Sequence, residues 1–99
     1  MAGMALRFDP EPYATVDAIF AQEAAGDRSV EHLAERLDRW FNELEKEPQP
    51  TIIRRRYLRP PGLWMITVPR PGDQDDWAIL WDLQDGNVWV RYVGPAAFA

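Results

Sequence analysis

The sequence predicts an α+β fold in which a two-helix hairpin packs on one face of a small antiparallel β-sheet. Three observations lead there. Apolar residues recur at three- and four-residue steps before Pro48 and at two-residue steps after Pro50, so helices precede strands. Two alternating runs meet at Asp85-Gly86-Asn87, a strong short-range hairpin signal. The connections between the later runs are short, which favours antiparallel neighbours.

Residues 4–8 alternate weakly and fit an edge strand. Asp9 has N-cap chemistry, Pro10 suits the first helical position, and Glu11 suits the positive end of the helix dipole. Tyr13, Val16, Ile19, Phe20 and Ala24 then mark an amphipathic helix over residues 10–25, with Gly26 as its stop. Ser29 opens a second helix. Its stripe is Val30, Leu33, Ala34, Leu37, Trp40, Phe41 and Leu44, and it ends before Pro48 and Pro50, which cannot continue it. The short Gly26-Asp27-Arg28 connection implies an antiparallel helical hairpin.

Residues 51–58 read as a strand, followed by a Pro60-Pro61-Gly62 turn. Residues 63–68 are a second strand, with Trp64, Ile66 and Val68 on one face and Leu63, Met65 and Thr67 on the other. After a polar loop with turn chemistry at Pro71-Gly72-Asp73, residues 77–83 place Trp77, Ile79, Trp81 and Leu83 together. Residues 88–93 set Val88, Val90 and Tyr92 opposite Trp89, Arg91 and Val93. One domain over residues 1–99 is expected, with a strand and helical hairpin in 1–50 and the sheet in 51–95.

The composition limits the chemistry. There is no cysteine, so disulfides, Cys-based zinc sites and thiol nucleophiles are excluded. The single histidine, His32, has no second ligand or nucleophile beside it in sequence, and the Asp73, Asp75, Asp76 group lacks the spacing of a calcium loop. No metal and no cofactor are expected. No apolar run approaches a membrane span, and no signal peptide is visible, so a cytoplasmic protein is expected. Net charge is −5. Residues 1–50 carry five basic side chains against eleven acidic ones, whereas 51–72 hold Arg54, Arg55, Arg56, Arg59 and Arg70 and no acid. That asymmetry marks either an anion-facing surface on an acidic body or cations that pair with the helical half.

Several stretches, in their order, resemble the RelE/ParE toxin superfamily of bacterial type II toxin–antitoxin systems. Phe8-Asp9-Pro10-Glu11 ends a leading strand, and Leu44-Glu-Lys-Glu-Pro48 ends the second helix before a proline. Arg55-Arg-Tyr-Leu-Arg-Pro-Pro-Gly-Leu-Trp-Met-Ile-Thr-Val68 is similar to the basic segment that runs through a turn into the central strand. Asp76-Trp-Ala-Ile-Leu-Trp-Asp82 and Val90-Arg-Tyr-Val-Gly94 resemble the last two strands. The resemblance implies a toxin-like component with a cognate antitoxin as partner and is compatible with a homodimer. Members of the superfamily include ribosome-associated, metal-independent mRNA endoribonucleases and poisons of DNA gyrase. The alternative is a non-catalytic protein-interaction module of the same fold. Met65, Thr67 and Ala78 stand where the ribonuclease pattern has basic residues, so its catalytic set does not carry over by position.

If RNA is the target, nucleic-acid binding falls to Arg54, Arg56, Arg59, Arg70 and Arg91. Arg54 and Arg56 share a strand face at a spacing that suits successive phosphates, or else they guard an edge strand. Arg91 beside Trp89 either pairs a phosphate next to a stacked base or snorkels over a half-buried indole. Arg91 and Tyr92 point to opposite faces of a regular strand and line one cleft only if a bulge intervenes. Tyr57 is the nearest general-base candidate, and the catalytic candidates are Arg54, Arg56, Arg91 and Tyr57.

Overall fold

The structure, a computed structural model, describes residues 5–46, 58–59 and 63–99, and only the backbone of Leu58 and Arg59. Strand β1 (Ala5–Phe8) leads into helix α1 (Pro10–Ala24). A 3₁₀ turn (Arg28–Val30) precedes α2 (Glu31–Lys46), and β2 (Leu58–Arg59), β3 (Leu63–Val68), β4 (Trp77–Gln84) and β5 (Asn87–Pro95) follow. A last 3₁₀ turn covers Ala96–Phe98. The sheet order is β1-β5-β4-β3-β2. Of the strand expected over residues 51–58, only Leu58 lies among the described residues.

The sheet is mixed, a correction to the wholly antiparallel expectation. β2–β3, β3–β4 and β4–β5 are antiparallel, but β1 runs parallel to β5, with Leu6 opposite Val88 and Phe8 opposite Val90. A parallel pairing needs a long crossover, and the helical hairpin is part of the chain between the two strands. Leu6 and Phe8 thereby pack against the core that the helices cover.

Local chemistry sets the helix ends. Gly26, at φ 91°, closes α1 in a Schellman arrangement: Asp27 N–H donates to the Gln22 carbonyl at 3.0 Å and Gly26 N–H to that of Glu23 at 2.9 Å. The 3₁₀ turn that leads into α2 is capped by Asp27, whose carboxylate accepts from Ser29 N–H at 2.9 Å and Ser29 Oγ at 2.6 Å. The start of α1 faces the end of α2, since Tyr13 and Asp17 share a groove with Phe41 and Glu45, whereas Glu23 shares one with Glu31. The hairpin is therefore antiparallel.

Most of the expected inward stripe is buried. Leu37, Leu44, Ile66, Val68, Ile79, Trp81, Val88 and Val90 are fully enclosed, in one cluster that draws on both helices and four strands. On α1 the inner face is Pro12, Val16 and Ile19. Tyr13, expected on that stripe, is 60% exposed. The helix has turned so that Pro12 takes the inner position, and Tyr13 moves to the flank.

Asp85 and Gly86 both have positive φ, 53° and 75°, and join β4 to β5 through a two-residue turn of the type that matches strand twist. Among the described residues, no helix is long and apolar enough to cross a membrane.

Candidate functional site

The β4–β5 ladder slips at Arg91. Leu80 pairs with Tyr92, but Trp81 pairs with Val90, leaving Arg91 as the extra residue of a β-bulge. Beyond the bulge, alternation is inverted relative to a regular strand. Val93 joins Val88 and Val90 in the helix-facing core, and Tyr92 packs on the other face with Met65, Ala78 and Leu80. The expected pairing of Val93 with Trp89 and of Tyr92 with Val88 is corrected accordingly. Arg91 and Tyr92 now line one concavity of about 230 Å³, together with Glu11, Thr15 and Trp77.

Arg91 is held on several sides. Its Nε donates to Asp82 Oδ1 at 3.0 Å and its Nη1 to Asp9 Oδ1 at 3.0 Å. Nη2 donates to Gln84 Oε1, and the guanidinium lies 5.0 Å from the Trp89 ring centroid. Burial by itself disfavours the charged form, but the hydrogen bonds and charges of Asp82 and Asp9 outweigh it and raise the guanidinium pKa above its ordinary value. Asp9 stands at the N-cap of α1 without a side-chain capping bond, its carboxylate being turned to Arg91. Arg91 thus meets two carboxylates, and Glu11 lines the same concavity.

Tyr92 is a neutral donor here. Burial and then the Glu11 carboxylate push its phenol above the ordinary tyrosine value. Its hydroxyl donates to the Pro95 carbonyl at 2.8 Å, which folds the ring back over its own strand. Gly94 makes room for it, since a β-carbon there would lie 2.6 Å from the Tyr92 hydroxyl.

Arg70 lies at the start of the β3–β4 loop. Its Nη2 donates to the Ser29 carbonyl at 3.2 Å, its backbone N–H to Asp76 Oδ1 at 3.3 Å, and its guanidinium is 6.0 Å from the Trp77 ring centroid. These contacts tie the loop to the connection between the helices. Arg59 occupies the outer strand β2, with β3 and β4 between it and Arg91. Three strand spacings put those two backbones roughly 14 Å apart. Arg54, Arg56 and Tyr57 lie outside the described residues. Among the described residues, no group of three or more His, Asp or Glu is placed to hold a metal ion.

A second concavity follows the seam between α1 and α2. One end has an aromatic floor: the Phe8 ring meets Phe41 edge-on at 5.2 Å and Tyr13 at 6.2 Å, with Leu6, Val16 and Phe20 beside them. The other end holds Phe20 and Ala34 among Glu23, Glu31 and Glu35. Phe20 and Asp38 belong to both ends, so the groove is continuous. The sequence signal for it is the set of acids on one flank of α2, Glu31, Glu35, Asp38 and Glu45 at helical spacing, beside an apolar stripe wider than one helix buries.

No protein-family model, no curated protein and no solved structure matches the chain.

Proposed function

We propose that the chain is a toxin-like component of a type II toxin–antitoxin pair that acts through protein contacts and is neutralised by a cognate antitoxin. What carries the reading is the agreement between the resemblance, which rests on order and spacing, and the elements. Phe8-Asp9-Pro10-Glu11 is the junction of β1 and α1, Leu44 falls in the last turn of α2, and the three later stretches run into β3, β4 and β5. Protein contact is favoured over phosphodiester chemistry because Arg70 and Arg91 have internal duties. Arg91 is paired with two carboxylates, and Arg70 with a backbone carbonyl.

A second reading is a non-catalytic interaction module of the same architecture, which is favoured by the same internal pairing of Arg70 and Arg91.

Induced expression in a bacterial host tests the proposal. Wild type should arrest growth, and Arg54→Ala/Arg56→Ala should arrest it equally. Relief in that double variant, folded and expressed at wild-type level, would move the target to RNA. Unhindered growth with folded wild type would overturn the toxin reading and leave the interaction module.

A further inference from the structure

The groove between α1 and α2 has two properties that together specify what fills it. Its floor is apolar and open: Leu6, Phe8 and Phe20 are only partly buried, and Tyr13 at the mouth is 60% exposed. Its rim is acidic. Asp17, Glu23, Glu31, Glu35, Asp38 and Glu45 border it, and among the described residues that line it none is Lys or Arg. Glu31 reaches Arg28 only at 3.9 Å, between side chains 60% and 90% exposed, a geometry that contributes little. Glu31 with Glu35, and Glu35 with Asp38, stand at the spacings where like charges on one helix repel. A partner that supplies the opposite charge removes that repulsion on binding.

We infer that this groove docks an amphipathic helix of a partner protein, apolar on the face that enters and rich in Lys and Arg along its flanks. The seam between two antiparallel helices accepts a third helix whose anchors recur at three, four and seven residues. Fifteen residues of α1 give a seam of about 22 Å, which accommodates about 15 residues of helix. The charge of the rim selects a basic helix over an acidic one of equal hydropathy and speeds its approach. The inference deepens the proposed function by giving the partner a surface and a chemistry. It rests on that reading only for the partner's role as antitoxin.

The test is an NMR titration of the isotopically labelled protein with a synthetic amphipathic helix of about 15 residues, leucine on one face and lysine on the other. A peptide with glutamate in place of lysine is the comparison. The lysine peptide should bind saturably, shift amides of β1, α1 and α2, and bind about tenfold tighter than the glutamate peptide. Asp38→Lys/Glu45→Lys should weaken it about tenfold, whereas Asp73→Lys/Asp75→Lys, an equal change of net charge on the exposed β3–β4 loop, should leave it unchanged. Equal weakening by both variants, shifts centred outside the groove, or no saturation would overturn the inference. Growth does not enter this titration, so the docking surface and the toxin reading fail separately.

Discussion

The guanidinium of Arg91 and the carboxylate of Asp9 meet at 3.0 Å although 82 positions separate them in the chain. The contact joins the bulge of β5 to the N-cap of α1, and Asp82 on β4 completes it. A cation that anchors a helix start to two strands is a folding element before it is a binding one.

Arg91→Met should therefore destabilise the protein by about 1–3 kcal/mol, between the values for exposed and buried ion pairs, because Asp9 and Asp82 are left facing each other half-buried. Arg91→Lys should recover only part of this, since an ammonium does not reproduce the forked contacts. Urea midpoints, with a double-mutant cycle against Asp9→Asn, measure both.

Gly94→Ala should cost about 1–3 kcal/mol, because the new methyl displaces the Tyr92 ring and its hydroxyl leaves the Pro95 carbonyl. In a Tyr92→Ala background the same substitution should be nearly neutral. Additivity in the thermodynamic cycle would show that the ring is not what Gly94 accommodates.

The Tyr92 phenol should ionise above the usual tyrosine value of about 10 in alkaline difference spectra. Glu11→Gln should lower it only in part, because burial is the larger cause. A phenol whose folded pKa is raised contributes stability below the unfolded pKa, and that contribution is lost as pH rises through the folded value.

Asp27 carries the opposite sign. Hydrogen bonds from the Ser29 side chain and backbone hold its carboxyl below the ordinary aspartate value. Its contribution is complete above the unfolded value of about 3.9 and disappears as pH falls through the folded one. The stability difference between wild type and Asp27→Ala should shrink across that acid limb, and Ser29→Ala should move the Asp27 carboxyl titration upward in NMR.

Trp81 is fully buried, yet its indole Nε1 has no hydrogen-bond partner among the described residues. Trp81→Ala should cost about 3–5 kcal/mol through the cavity. Trp81→Phe should cost clearly less, because it also removes an unsatisfied buried donor. Thermal unfolding of the two variants separates the contributions.

What the sequence made legible was local. The periodicity of Val30 to Leu44, the Gly26 stop, the Asp85-Gly86 turn and the inward alternation of Ile66, Val68, Ile79 and Trp81 each depend on neighbours within a few residues. The bulge at Arg91 was not legible, since one unpaired residue carries no compositional mark, and everything after it changes face. The parallel pairing of β1 depends on how the whole hairpin returns to the sheet. Arg91 was identifiable as a polar residue of interest, but its partners Asp9 and Asp82 come from distant segments. Tyr13 and Phe20 read as core because their spacing is helical. Pro12 takes the inner position from Tyr13, which lines the groove beside the partly buried Phe20.

The most direct measurement is expression of the chain alone and with the product of each adjacent reading frame, followed by growth and by size-exclusion mass of the purified material. The expected result is growth arrest by the chain alone, relief by one of those products, and a stable complex of defined stoichiometry. Unhindered growth, together with separate elution of the folded chain from each product, would contradict a protein that works as one half of a toxin–antitoxin pair.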